Sequence, residues 1–193
     1  MKHAKRHPLI FGTIILTATG LITRVIGFFY RIYLSRLFGE EGMGIYQLLS
    51  PALSLSFSLT AAGYQTAISK YVAADSAKRP SGNLKPLLAG TSITLPLSLV
   101  TNAILFFSAD PIGIFLLKDH RTVPMLRILS FSVPFAALHA CINGYFYGKK
   151  KASVPALTQL LEQLARVSCV FLVTGADLAE GRTPSINAAV LGL

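Results

Sequence analysis

The stretch LIFGTIILTATGLITRVIGFFYRIY, residues 9–33, decides the fold class of this chain. Its only charged residues are Arg24 and Arg31. About 30 Å of hydrocarbon, at a rise of 1.5 Å per residue, requires about 20 predominantly apolar residues in a helix. The stretch meets that length, so it predicts a helix that crosses a membrane.

Four more apolar stretches of similar length follow, which predicts five complete membrane-spanning helices. They cover about residues 9–33, 45–72, 84–107, 123–147 and 154–174, and a sixth begins near residue 186. Short polar connections separate them, and residues 112–117 form an apolar piece that is expected to lie on the membrane surface. We therefore expect residues 1–193 to form one all-α domain, a polytopic bundle of transmembrane helices.

The composition excludes a soluble globule. The chain is 52% hydrophobic and 13% charged, whereas a soluble domain is about one-quarter charged. Cys141 and Cys169 lie in apolar stretches without a CxxC motif or a histidine pair, so no zinc or redox site is predicted. The first apolar run is too long for a signal peptide, and further apolar runs follow it.

The charges of the connections alternate along the chain. The formal net charge is +10, and basic clusters recur at every second connection. These clusters are Lys2, Lys5 and Arg6, then Lys78, Arg79 and Lys85, then Lys149, Lys150 and Lys151. The intervening connections hold Glu40, Glu41, Asp110, Asp119, Asp177 and Glu180. This asymmetry predicts that the N-terminus is cytoplasmic, and it favours an orientation signal over nucleic-acid binding for the lysine run.

The first predicted helix carries small and polar residues on one face. They are Thr13, Thr17, Gly20, Arg24, Gly27 and Arg31. A packing stripe explains the threonines and glycines. It does not explain Arg24, which lies about 24 Å along the helix axis from Pro8 and costs about 2.5–3.5 kcal/mol near a bilayer centre. Arg24 therefore predicts a cavity or substrate contact, with snorkelling to the outer headgroups as the alternative.

Polar residues also lie on the second, fourth and fifth predicted helices. Small polar residues of the second helix, including Gln65, share a face that is typical of close packing. His139 and Asn143 share a face of the fourth helix, where His139 is either a packing residue or a proton relay.

The fifth helix carries Gln159, Glu162, Gln163 and Arg166. Glu162 and Arg166 stand four residues apart, which predicts an ion pair that is either structural or functional. The predicted candidate cavity residues are Arg24, Asn143, Gln159, Glu162 and Arg166. No enzyme motif, metal site or cofactor site appears in the sequence.

Several segments, taken in order, resemble the stage V sporulation protein B family. They are LITRVIGF at 21–28, LFGEEGMGIY at 37–46, AISKYVA at 67–73, GYFYGK at 144–149 and QLLEQLARV at 159–167. The family is similar to polysaccharide transporters in a superfamily with multidrug antiporters and lipid II flippases. Its members usually have about fourteen helices in two repeats. The resemblance thus implies that this chain corresponds to the first of two lobes and is shorter than the family.

The resemblance implies a transporter that flips lipid-linked cell-wall or polysaccharide precursors across the cytoplasmic membrane. The implied partners are a lipid-linked oligosaccharide or lipid II-like substrate, membrane lipids and cell-wall synthesis proteins. Two alternatives stay open. One is a cation-coupled multidrug antiporter, whose cavity would need carboxylates, and the other is a truncated remnant that does not transport.

Overall fold

The computed structural model describes residues 8–78 and 84–179, and within them it contains helices and no strands. The prediction of an all-α protein is therefore confirmed. The helices are α1 (Pro8–Leu48), α2 (Ser50–Phe57), α3 (Gly63–Lys78), α4 (Lys85–Phe107), α5 (Ala109–Pro111), α6 (Thr122–Ser130), α7 (Ser132–Gly148) and α8 (Ser153–Ala179). Two π-helical turns, π1 (Ser58–Ala62) and π2 (Ile112–Leu116), join α2 to α3 and follow α5.

The connection predicted after the first span is helical. Helix α1 continues through it and is interrupted only at Gly39, where φ is 67° and ψ is −173°. A side chain disfavours this left-handed region, so glycine permits the chain to bend there without strain. The predicted connection between the first two spans is thus a bend within a long helix.

The predicted second and fourth spans are each divided. The second consists of α2, π1 and α3 in succession, and it extends to Lys78. The fourth consists of α6 and α7, which meet at Phe131 with a bend of 40°. Pro134 lies in the first turn of α7, where its ring would clash with the carbonyl of Ser130 in a continuous helix. The predicted fifth span extends to Ala179, and the predicted sixth span lies outside the described residues.

Helix α7 is the centre of the bundle. It packs against α3, α4 and α8, while α1 packs against α8. The closest approach is at a GxxxG motif: a Cβ atom added at Gly144 would lie 2.5 Å from the carbonyl oxygen of Gln65, and one at Gly148 would lie 2.6 Å from that of Ser69. The two glycines therefore bring the backbones of α7 and α3 into direct contact, as small residues do in membrane helices.

The two ends of the bundle differ in charge. Helices α1 and α8 run in the same direction, because Gly12 lies beside Ala152 and Tyr33 beside Thr174. Gly148 approaches α3 at Ser69 and Val72, and α3 ends at Lys78, so α3 and α7 end on the same side of the bundle. We call it the basic end; it holds Lys85, Lys149, Lys150 and Lys151.

The other end of the bundle, the acidic end, holds Glu41, Asp110 and Asp119. Arg121 bonds to Glu41 at 2.7 Å and to Asp119 at 3.3 Å, and Arg127 bonds to Asp110 at 2.6 Å. The backbone N–H of Arg121 also donates to Asp119, and together with the guanidinium it holds the pKa of that carboxyl below its usual range. The pair of Arg121 with Glu41 ties the bend of α1 to the segment between π2 and α6.

Helices of membrane-spanning length and composition are present in the described part of the chain. They are Gly12–Ser76, Lys85–Phe107 and Ser153–Asp177, and the bent pair Thr122–Ser130 and Ser132–Gly148 is a further one if it counts as a single span. The exterior is apolar: Phe107, Phe115 and Phe135 are each more than 70% exposed. Such a surface suits lipid rather than water. The count of five complete spans stays a prediction.

Candidate functional site

A polar cavity lies between α3, α7 and α8. Its volume is about 290 Å³. Its polar lining residues are Gln65 of α3, His139, Asn143 and Tyr147 of α7, and Gln159 and Glu162 of α8. His139 stands nine residues before Gly148, and Glu162 nine residues after Ser153, so both lie about 14 Å along their helices from the basic end. The cavity therefore lies part-way along these helices rather than at the end of the bundle, and it is partly open, since the side chains of His139 and Glu162 are 34% and 52% exposed.

Short polar contacts join three of these residues across two helices. The Nδ1 atom of His139 lies 3.1 Å from Oε1 of Glu162. The Nε2 atom of the same ring lies 3.0 Å from Nδ2 of Asn143, one turn further along α7. Both ring nitrogens of His139 therefore have partners, and the carboxylate of Glu162 has a partner on the neighbouring helix.

Three of the predicted candidate residues meet in this cavity. Asn143, Gln159 and Glu162 line it together. Arg24 and Arg166 are not among its lining residues. Arg24 is exposed on α1, close to Gly27, whose added Cβ atom would lie 3.5 Å from Gln163 on α8.

The predicted ion pair between Glu162 and Arg166 is not present in the described part of the chain, so this prediction is wrong. Glu162 pairs with His139 instead. Arg166 is half-buried, and its charge acts on the hydroxyl groups of Tyr30 and Tyr46 of α1. The physical reason is that α8 packs against both α7 and α1, so Glu162 has a partner across the helix interface and Arg166 lies towards the other neighbour.

Two residues that line the cavity, His139 and Gln65, are not among the candidate cavity residues that the sequence predicts. The sequence indicates that His139 is a packing residue or a relay and that Gln65 belongs to a close-packed face. The signal for His139 was the polar face it shares with Asn143 at i, i+4. The signal for Gln65 was weaker. Nothing in its own helix shows that Gly144 of α7 lies opposite it or that space remains beside that glycine.

A second cavity adjoins the first. Its volume is about 200 Å³, and Phe57 and Ala136 line both cavities. Its hydroxyl-bearing lining residues are Ser56, Thr60 and Ser132. Each of these hydroxyls donates to a backbone carbonyl three or four residues earlier in the chain, with Thr60 Oγ1 bonding to the carbonyl of Ser56 at 2.7 Å. Each oxygen keeps acceptor capacity, so the second cavity can hold water.

Apolar helices around a polar interior define the class of this molecule: it is a multi-pass membrane protein. It belongs to the polysaccharide biosynthesis protein family, whose profile matches residues 9–178. That match covers most of the chain, including every helix that lines the polar cavity.

Similar proteins come from Bacillus subtilis (strain 168). Stage V sporulation protein B is 37% identical over 171 residues, which is 88% of this chain and 33% of that protein. The lipid II flippase MurJ is 27% identical over 179 residues, 88% of this chain and 32% of the relative. The uncharacterized membrane protein YabM is 27% identical over 164 residues, 85% of this chain and 30% of the relative. The chain thus spans about a third of the length of these relatives. No solved structure shows significant similarity.

Proposed function

We propose that this chain forms the first helical lobe of a transporter that flips lipid-linked cell-wall or polysaccharide precursors across the cytoplasmic membrane. The observation that carries the proposal is the polar cavity part-way along apolar helices, in a chain of the polysaccharide biosynthesis protein family. Polar residues within apolar spans are unfavourable in lipid, and they usually mark the path of a polar solute. A relative named as a lipid II flippase gives the chemical class of that solute.

We further propose that the N-terminus and the basic end face the cytoplasm, as the lysine and arginine asymmetry predicts. Sporulation is the proposed setting, because a relative with 37% identity is a stage V sporulation protein. A lipid-linked oligosaccharide or a lipid II-like molecule is the proposed substrate, and cell-wall synthesis proteins are the proposed partners.

Arg24 is the proposed contact for the anionic part of the substrate. Its guanidinium is exposed on a helix that offers no carboxylate within the first predicted span. Gly20 on the same face leaves space for a bulky group to approach, because no atom lies within 4 Å of an added Cβ atom there. The planar fork of an arginine can bind two phosphate oxygens at once, which the single ammonium of a lysine cannot do.

Flipping of fluorescently labelled lipid II in proteoliposomes tests this proposal. The protein that contains this sequence is reconstituted into the proteoliposomes. An impermeant quencher then reports how much of the label is on the outer leaflet. We expect flipping to fall at least about tenfold in Arg24→Ala, which corresponds to the loss of about 1.4 kcal/mol of substrate interaction. Arg24→Lys should recover part of the rate.

Arg36→Ala is the matched control, because Arg36 is an exposed arginine of the same helix near its bend. It should flip at the unchanged rate. Unaltered flipping by Arg24→Ala, at equal protein level, contradicts the role of Arg24. Absence of flipping by the unsubstituted protein contradicts the proposed function itself.

A cation-coupled antiporter is the second candidate, and the presence of Glu162 in the cavity favours it. A carboxylate attracts cationic solutes rather than pyrophosphates. Uptake of a cationic dye into the same proteoliposomes under an imposed ion gradient distinguishes the two. Dye transport without lipid flipping would support the antiporter.

A further inference from the structure

The hydrogen bonds of His139 specify where its ring carries a proton. The amide nitrogen of Asn143 can only donate, so Nε2 of His139 accepts from it. A neutral ring then carries its proton on Nδ1, which lies 3.1 Å from Oε1 of Glu162. The group formed by these three side chains therefore has a net charge of −1 when the ring is neutral.

The same three side chains can accommodate a second proton on the ring. A proton from cavity water would form a new N–H bond at Nε2, and no other bond would break. The side-chain amide of Asn143 would rotate so that its Oδ1 accepts from the new donor, because the amide presents one acceptor and one donor at its two ends. The imidazolium would then lie between that oxygen and the carboxylate of Glu162, and the group would be neutral overall.

The surroundings of the ring contain few competing charges. Within the described residues, the titratable side chains that line the cavity are His139, Glu162 and Tyr147. Helix α3 contributes the uncharged Gln65, and Phe57 at the end of α2 is apolar. On the adjacent α1, Arg24 and Arg31 are exposed and do not line the cavity. Lys149, directly after α7, lies over the ring of Tyr145. Arg166 of α8 lies towards α1.

Water can occupy the cavity around the ring and a second cavity beside it. The cavity around His139 measures about 290 Å³, and the adjoining one that holds Ser56, Thr60 and Ser132 measures about 200 Å³. Both exceed the roughly 30 Å³ that one water molecule occupies in the liquid. Phe57 and Ala136 border both spaces, so they form the partition between them.

We propose that His139, Glu162 and Asn143 form a proton-binding site between α7 and α8. Histidine suits this task because its ordinary pKa allows it to change charge between about pH 5 and pH 8. Proton binding would convert the contact of His139 with Glu162 into an ion pair that strengthens the packing of α7 against α8. Coupling of this proton to substrate movement rests on the proposed transport function, whereas the binding site itself does not.

Nitrogen-15 NMR of histidine-labelled protein in lipid nanodiscs tests the site. The signals of His139 are assigned by their loss in His139→Gln, and the exposed His120 serves as an internal reference. We expect the neutral ring of His139 to carry its proton on Nδ1 and the ring to become doubly protonated on acidification. Glu162→Gln should lower the protonated fraction at a given acidic pH severalfold, because the imidazolium loses its counter-charge.

Tyr147→Phe is the matched control, since it alters another titratable residue of the same cavity but none of the three partners. It should leave both the tautomer and the protonated fraction unchanged. A neutral ring that carries its proton on Nε2 would overturn the proposal. So would a ring that stays neutral over the pH range in which the His120 signal changes.

Lipid flipping in proteoliposomes under an imposed pH gradient tests the coupling separately. We expect the gradient to change the rate in the unsubstituted protein and to have no effect in His139→Gln. If flipping occurs and ignores the gradient in both proteins, the coupling is refuted and the transport function stands. If no flipping occurs, the transport function fails, and the NMR result still decides whether the proton-binding site exists.

Discussion

Glu162 brings a negative charge into an apolar span, where a carboxylate without a partner is unfavourable. Its Oε1 atom lies 3.1 Å from Nδ1 of His139, so the contact joins α8 to α7. Asn143 extends the same set of bonds by one turn of α7. Local polarity and helix packing thus depend on the same few atoms.

A double-mutant cycle measures this dependence. His139→Gln and Glu162→Gln should each lower the thermal stability of the purified protein, and the double variant should lose less than the sum. We expect a coupling energy of about 0.5–3 kcal/mol, which is the range for residues in direct contact. Unfolding followed by circular dichroism or by a thiol-reactive dye supplies the free energies.

The control cycle combines Glu162→Gln with Arg166→Gln. These two residues are close in sequence but have different partners, so their effects should add within about 0.3–0.5 kcal/mol. Strict additivity in the His139 cycle would show that the bond contributes nothing to stability. Strong coupling in the Arg166 cycle would restore the ion pair within α8.

At the scale of elements, α3 and α7 make the closest contact. Among the described glycines, those of α7 would bring an added Cβ atom nearest to a backbone atom of another helix. Gly144 and Gly148 face carbonyl oxygens of α3 that stand four residues apart, so one turn of α7 matches one turn of α3. Neither glycine can gain a Cβ atom unless the backbones separate. The GxxxG motif was visible in the sequence, but only the fold shows which helix it contacts.

Gly144→Ala should therefore destabilise the bundle. The added methyl group would lie 2.5 Å from a backbone oxygen, which cannot move as a flexible side chain could. We expect a loss of about 1–3 kcal/mol, typical of overpacking. Thermal unfolding in detergent micelles, together with the amount of protein that purifies as a monodisperse species, measures it.

Gly20→Ala is the control for this substitution. Gly20 also lies inside a helix, but no atom lies within 4 Å of an added Cβ atom. Because alanine is the better helix former by about 1 kcal/mol, this variant should be neutral or slightly more stable. Equal stability of Gly144→Ala and the unsubstituted protein would mean that α3 and α7 are further apart than described.

At the scale of the whole molecule, the alternation of helix directions separates two kinds of connection. The C-terminal ends of α3 and α7 lie at the basic end, whereas Glu41, Asp110, Asp119 and their arginine partners lie at the acidic end. This arrangement agrees with alternate crossing of a membrane. Which end faces the cytoplasm follows from the positive-inside rule and stays a prediction.

Cysteine labelling in intact cells determines the orientation. In a background with Cys141→Ala and Cys169→Ala, cysteines at Ser76 and Lys150 should be protected from an impermeant thiol reagent. A cysteine at Glu41 should react, since Glu41 is exposed at the acidic end. All three should react after the cells are permeabilised, and labelling of Ser76 and Lys150 from outside would reverse the assigned orientation.

The sequence by itself determined the class of fold. Hydropathy along residues 9–33 and the later apolar stretches is a local, additive property, so helices and their approximate positions could be read without knowing their neighbours. Asn143, Gln159 and Glu162 could be chosen as cavity residues for a similar reason, because a polar residue within an apolar span is conspicuous. The bend at Gly39 and the break before Pro134 were less accessible, since glycine and proline allow such interruptions without requiring them.

Only the tertiary structure decided which residues meet. Glu162 could bond to Arg166 on its own helix or to a residue on another, and the sequence spacing favoured the first. The rotation of α8 against α7 selected His139, and it left Arg166 near the tyrosines of α1. Rotation of this kind is set by many small packing terms distributed over several helices. A pattern along a single helix does not contain those terms, and for that reason the cavity and its hydrogen bonds appear only in the assembled bundle.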